Sequence, residues 1–251
     1  MKKLISIILA AAALVTIISL SACGKKDSGK LVMATNAAFP PYEYVEDGKI
    51  IGIDAEIAAL IAEELGLELE IKNVEFKSIV SGVESGKFDI GMAGMTVTED
   101  RKKSVNFSTT YATGIQSIIV TDSSPITSVD DLGAEGATYK IGVQEQTTGD
   151  IYCRDDYGDD RVISYANGAT AVEALKSGKV DCVIIDNEPA KAFVKANSGL
   201  KILDTEYAVE DYAIAVGKNN EELLTKINAA LAKLTEDGTI KKIIDKYIPA
   251  E

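Results

Sequence analysis

The spacing of apolar positions changes repeatedly along the chain from Lys30 onward, and each change marks an element. Lys30–Thr35 (KLVMAT) and residues 68–74 (ELEIKNV) are short apolar or alternating runs that predict strands. Between them Ile57, Leu60, Ile61 and Leu65 recur at helical spacing until Gly66 stops the run, which predicts a helix over 55–65. Asp54 precedes it as the expected cap, its carboxylate satisfying free amides of the first turn. Strand, helix, strand is a βαβ unit, and the alternation continues to Tyr247, with closing helices over 220–234 and 240–247. The expected fold class is α/β, a parallel or mixed sheet flanked by helices.

An internal echo divides this pattern in two. Ser85-Gly86-Lys87-Phe88-Asp89-Ile90 recurs as Ser177-Gly178-Lys179-Val180-Asp181-Cys182, 92 residues later, each copy following a helical pattern and leading into an apolar strand. Helix, glycine stop and strand is a common join. At this spacing, the length of a small α/β lobe, it predicts two similarly built lobes. Ligands of open α/β sheets sit beyond the carboxyl ends of strands, so facing lobes would place two such surfaces across one cleft.

The amino terminus has a different pattern. Lys2 and Lys3 precede a stretch from Leu4 to Leu20 that is apolar apart from Ser6, Thr16 and Ser19, the layout of a secretory signal. Leu20-Ser21-Ala22-Cys23 then resembles the bacterial lipoprotein box, which implies a signal peptide over 1–22 and a thioether-linked diacylglycerol on Cys23. Residues 23–30 form a small, polar tether, and the folded part starts near Leu31. The expected location is extracytoplasmic, a cell-membrane lipoprotein touching the membrane through its lipid alone. Losing Lys2 and Lys3 takes the formal net charge from -13 to -15, which argues against nucleic-acid binding. Cys153 and Cys182 remain in a compartment that tolerates disulfides, and one bridge or two separate buried thiols would both suit the sequence.

Three groups of residues carry a more specific resemblance. Thr35-Asn36-Ala37-Ala38-Phe39-Pro40-Pro41-Tyr42-Glu43-Tyr44, Gly52-Ile53-Asp54-Ala55-Glu56-Ile57 and Ala93-Gly94-Met95-Thr96-Val97-Thr98-Glu99-Asp100-Arg101 look like the polar amino-acid class of bacterial extracellular solute-binding proteins, family 3. So do Phe107-Ser108 with Tyr111, Gly142-Val143 with Thr147-Thr148-Gly149, Val183-Ile184-Ile185-Asp186, and Asp237-Gly238-Thr239 with Tyr247. The resemblance implies a two-lobe periplasmic-binding-protein-like fold of type II with the cleft between lobes. Lobe one would comprise 31–111 and 212–251 and lobe two 112–211, joined by hinge strands at about 111–116 and 208–212. It also implies the substrate-binding component of an ABC importer, a monomer that closes on a free polar amino acid and delivers it to a permease and its ATPase. An amino-acid sensor module, or a cyclohexadienyl or arogenate dehydratase on the same fold, are the alternatives.

The chemistry can be argued from the residues. A free amino acid is a zwitterion, so it needs a cation for its carboxylate, an anion for its ammonium group and a surface for its side chain. Arg101 offers a planar guanidinium that can donate two parallel hydrogen bonds, and the resemblance assigns it the carboxylate, helped by Gly94, Met95, Thr96, Thr147 and Thr148. Asp186, delivered by three apolar residues to a strand end, faces the ammonium group. Phe39 and Phe76 match positions stacking on the aliphatic part, and Gln144, Glu145 and Gln146 are further side-chain readers. Asn36 stands where relatives for cationic ligands tend to carry an acid, which weakens a cationic ligand, although Glu145 could restore the charge. The chain has no histidine, no Gly-x-Ser-x-Gly and no complete phosphate-binding loop, so no enzyme, cofactor or metal is expected. The acidic run from Asp155 to Asp160 lacks the alternating spacing of a calcium loop and reads as solvated surface.

Overall fold

The computed structural model describes residues 29–249, so the leader, Cys23 and most of the tether lie outside the described residues. A small antiparallel sheet of Ala38–Phe39, Glu43–Glu46 and Lys49–Ile51 precedes the first helix, and two larger sheets form, each the centre of one lobe. The first has the spatial order Glu68–Asn73, Lys30–Thr35, Ile90–Gly91, Ala215–Gly217 and Val105–Phe107. The second runs Val162–Tyr165, Ile141–Gln144, Cys182–Asp186, Ala112–Thr121 and Leu200–Ile202. In both, three parallel strands are followed by one antiparallel strand. The two copies of the echo occupy equivalent places. Ser85 and Ser177 cap their helices, and the strands that follow, Ile90–Gly91 and Cys182–Asp186, adjoin the antiparallel strand of each sheet.

The lobes are joined by two paired strands. Ala208–Tyr212 lies antiparallel to the first half of Ala112–Thr121, from Ala208 against Gln116 to Tyr212 against Ala112. Tyr111 N then donates to Tyr212 O at 3.0 Å and Val97 N to Asp211 O at 3.0 Å, which ties the pair to the first sheet. The closing helices, Glu221–Glu236 and Thr239–Tyr247, pack Ile227, Leu231, Leu234, Ile240 and Ile243 into the same core as Ile57 and Ile61. The chain therefore returns to its first lobe.

The first helix is Ile53–Glu64, and here the expectation for Asp54 fails. Its cap is Gly52, with no side-chain bond, and Asp54 lies inside the first turn, fully buried. The helix begins early because its entry is fastened by backbone: Ile53 N donates to Pro41 O at 3.1 Å and Asp54 N to Tyr42 O at 2.9 Å. That close approach requires glycine at 52. Its φ is +126°, and a Cβ there would stand 2.2 Å from Tyr42 O. Gly48 also has positive φ, +75°, but faces open space. Gly52→Ala is therefore expected to cost more than about 2 kcal/mol of unfolding free energy, the combined cost of strained backbone and a steric clash, and Gly48→Ala about 1 kcal/mol. Urea denaturation of the two variants checks the order.

Candidate functional site

Where the strand ends of these two larger sheets face each other lies a small cavity, with about 440 Å³ of empty space when the solvent open to it is included. Its lining includes Asn36, Phe39, Phe76, Gly94, Thr96, Arg101, Gln144, Thr147, Thr148 and Asp186, so ten of the eleven ligand positions expected from sequence come together. Met95 is the exception among them. It is fully buried in the apolar cluster with Ile79, Val83 and Val105, because alternation along the segment turns its side chain away from the cavity.

Arg101 sits in the short helix Glu99–Ser104, whose cap Thr98 accepts from Arg101 N at 3.2 Å. Its side chain is only 8 % exposed. Nη1 donates to Thr96 O at 2.7 Å and Nη2 to Gln146 O at 3.2 Å, while the guanidinium lies 5.3 Å from the centre of the Phe76 ring. Burial lowers its pKa. A guanidinium has five N–H donors, so two main-chain carbonyls leave capacity for an anionic oxygen pair. Phe76 holds the plane of the fork.

The other lobe answers through its backbone. Gln146, expected as a side-chain reader, has φ +62°, a conformation L-residues rarely adopt. That turn aims its carbonyl at Arg101 and its N–H at Asp150 Oδ2, 2.8 Å away. It also starts the helix Thr148–Tyr157, capped by Thr147, so Thr148 stands buried at a positive helix end. Glu145 does not line the cavity. It is half-exposed and pairs across the lobes with Lys77 at 3.0 Å. Gln144 does reach across, its Nε2 donating to Asn36 Oδ1 at 3.0 Å, and Asn36 Nδ2 donates to Val74 O at 2.8 Å.

Asp186 ends the strand Cys182–Asp186 and caps the helix Asn187–Ala196. Oδ1 accepts from Glu188 N at 3.1 Å, and Oδ2 accepts from Ile115 N at 3.1 Å and Tyr212 Oη at 2.5 Å. Burial nonetheless pushes its pKa up to about 7, against the lowering effect of the Tyr212, Glu188 and Ile115 hydrogen bonds. Asp54 lies behind the cavity wall. Its Oδ2 accepts from Gly94 N at 2.9 Å and its Oδ1 from Tyr111 Oη at 2.8 Å, while burial raises its pKa to about 6. Asp54 thus holds Gly94, whose φ of +50° sets the main chain against Phe39.

Sequence reasoning missed Glu43, Gln116, Glu210 and Tyr212 as lining residues. Glu43 stood inside a quoted motif and Glu210 and Tyr212 inside an expected hinge, yet nothing in the local pattern separates an inward acid from a surface one. Glu210 is buried, and its Oε2 accepts from Thr96 Oγ1 and Gln116 Nε2, both at 3.0 Å. Glu43 is 1 % exposed, and its carboxyl meets that of Asp54, with which it hydrogen-bonds when one of the two keeps a proton. Burial, then the Asp54 charge, raise its pKa well above the ordinary range.

Two α/β lobes joined by paired strands, with a guanidinium and a carboxylate meeting over one small cavity, define a solute-binding protein. Comparison with known proteins agrees. Residues 31–250 match the sequence model of the bacterial extracellular solute-binding proteins, family 3, and the chain belongs to that family. It is 33 % identical to the arginine-binding extracellular protein ArtP of Bacillus subtilis, over 93 % of this chain and 94 % of that one. It is equally 33 % identical to the glutamine-binding protein GlnH of the same organism, over the full length of both. An ancestral arginine-binding protein solved with arginine is 41 % identical and superposes with a TM-score of 0.81, covering 88 % of this chain and 98 % of that one. These relatives are named as binding proteins, and the chain is a substrate-binding protein of the amino-acid ABC-transporter type.

The carboxyls of the site give two opposite pH dependences. Asp186 in the folded protein holds a proton to about pH 7, well above its ordinary 3.8, so unfolding releases it and unfolding free energy rises as pH falls from about 7 to 4. An ammonium ligand favours the carboxylate, so binding expels the same proton and affinity weakens as pH falls, by up to about tenfold per unit. Calorimetric titration with an amino acid between pH 5 and 8 should show this fall. Asp186→Asn should remove its upper step and weaken binding at pH 8.

Proposed function

We propose that the protein captures a free amino acid carrying a cationic side chain and presents it to a permease driven by an ATPase. One observation carries the choice of ligand: three carboxyl groups, Glu43, Asp186 and Glu210, line the cavity against the single guanidinium of Arg101. A neutral amino acid uses Arg101 for its carboxylate and one acid for its ammonium group. It leaves Glu210 with Thr96 and Gln116 as neutral partners and Glu43 with no cation to face. A second positive group on the ligand favours the ionised form of these acids and pairs with it. Asn36 brings no acid, and Glu43 lines the same cavity and supplies one.

In this reading Arg101, Thr96 and Thr148 take the carboxylate, and Asp186 takes the ammonium group. Phe39 and Phe76 cover the aliphatic stem, and Asn36, Gln144 and Glu43 read its end. Residues 31–111 and 212–251 move as one lobe and 112–211 as the other, bending at about 111–116 and 208–212. The ligand biases closure only by its differential affinity for the two states. The lipoprotein box supports anchoring of the mature chain through Cys23. The names of relatives, one arginine-binding and one glutamine-binding, support an amino-acid ligand and leave its charge to the cavity.

Thermal-shift titration of residues 24–251 with the twenty amino acids, ornithine and cystine tests the reading. Arginine, lysine or ornithine should raise the melting temperature most through mass action. A larger response to glutamine or cystine would reject the cationic ligand but leave the binding role. Arg101→Ala should abolish the response to every amino acid with circular dichroism unchanged. Glu43→Gln should weaken binding of the cationic ligand by at least about tenfold, the loss of one charge-assisted contact, and affect glutamine less.

A further inference from the structure

We infer that Cys153 and Cys182 are a disulfide-forming pair that staples the second lobe behind its ligand-binding end. Both thiols are free here and fully buried, in one apolar cluster with Ile118, Ile141, Val143 and Ile184. Sharing a cluster does not place two sulfurs together, but the register does. The helix Thr148–Tyr157 follows the strand Ile141–Gln144, which runs parallel to Cys182–Asp186, so the helix returns antiparallel to both strands over this face. Its starting point is marked by Gly149, where a Cβ would lie 3.4 Å from Ile184 O and 3.5 Å from Ile184 Cγ2. Glycine lets helix and strand approach closely at that level. From Gly149 to Cys153 is one helical turn, an advance of about 6 Å. From Ile184 back to Cys182 is two strand residues, an advance of about 6.6 Å in the same direction. Cys153 therefore stands over Cys182, on the sheet face that Ile184 also uses.

Extracellular family membership puts the folded chain in a compartment where such a bond persists. The step is a two-electron oxidation. Each thiol gives up its proton and together they give up two electrons, forming Sγ–Sγ. The acceptor is the disulfide of a thiol–disulfide oxidoreductase, or a small disulfide, which becomes two thiols. Exchange proceeds through a thiolate, and burial disfavours that form, raising the Cys182 thiol to about 12 and Cys153 further. The bond is accordingly made while the exported chain folds, before the helix covers the strand. Once made, it joins the helix whose first residue is Thr148 to the strand whose last residue is Asp186, and so holds the spacing of two binding groups from their far ends.

The test uses the full chain recovered from the exported fraction of expressing cells, denatured and alkylated with iodoacetamide before and after reduction. A peptide linking Cys153 to Cys182, with both residues alkylated only after reduction, is the expected result. Alkylation of both in denaturant without reduction would overturn the proposal. As a second reading, the double variant Cys153→Ala, Cys182→Ala should melt roughly 5–10 °C lower, as expected for a bridge closing a loop of about thirty residues. Reduction should lower the melting temperature of the wild type and leave the variant unmoved. A wild type insensitive to reduction would count against the staple. Neither readout needs a ligand, so the outcome is independent of which amino acid binds.

Discussion

A carboxylate held out of water must be given donors, and Asp186 receives them from three directions. The Ile115 amide belongs to one crossing strand, the Tyr212 hydroxyl to the other, and the Glu188 amide to the helix that Asp186 caps. The group therefore joins the connecting strands to the sheet of the second lobe. Tyr212 also bridges to Thr96, and Thr96 O accepts from Arg101, so the anion and the cation of the cavity are set by one chain of contacts. The small side of that chain is Gly114, where a Cβ would stand 2.2 Å from Tyr212 Oη and 2.5 Å from Asp186 Oδ2. Position and charge state are inseparable here, because the burial that fixes Asp186 also brings its titration close to neutrality.

The same logic is repeated one layer back. Asp54 accepts from Gly94 and Tyr111 and so holds the first lobe's contribution to the cavity wall. It stands beside Glu43, and the two buried carboxyls hydrogen-bond through the proton that Glu43 keeps. A protein that only needed a core would fill this place with leucine, at no cost in desolvation.

Contacts between the lobes are few and of different kinds. Lys77 with Glu145 is a partly exposed ion pair, worth little after screening. Arg101 with Gln146 O and Gln144 with Asn36 are better sheltered and lie at the cavity itself. The groups that bring the lobes together are thus largely groups that line the cavity.

Resemblance of the sequence motifs implied the family and a discontinuous first lobe, whereas local pattern alone determined the alternation of strand and helix and the glycine stops after Ser85 and Ser177. These follow from periodicity and from turn chemistry, which act over a few residues. The motif residues Arg101, Thr148 and Asp186 became candidates through that resemblance, Thr148 opening a helix and Asp186 ending a strand. Asp54 misled because an acid at a helix start looks the same whether it faces water or a glycine amide forty positions away. Met95 misled because one residue of alternation separates cavity from core. Glu43 and Glu210 became visible as cavity groups only when chain segments remote in sequence had packed around them. Burial and charge balance are properties of that packing, which no run of neighbouring residues carries.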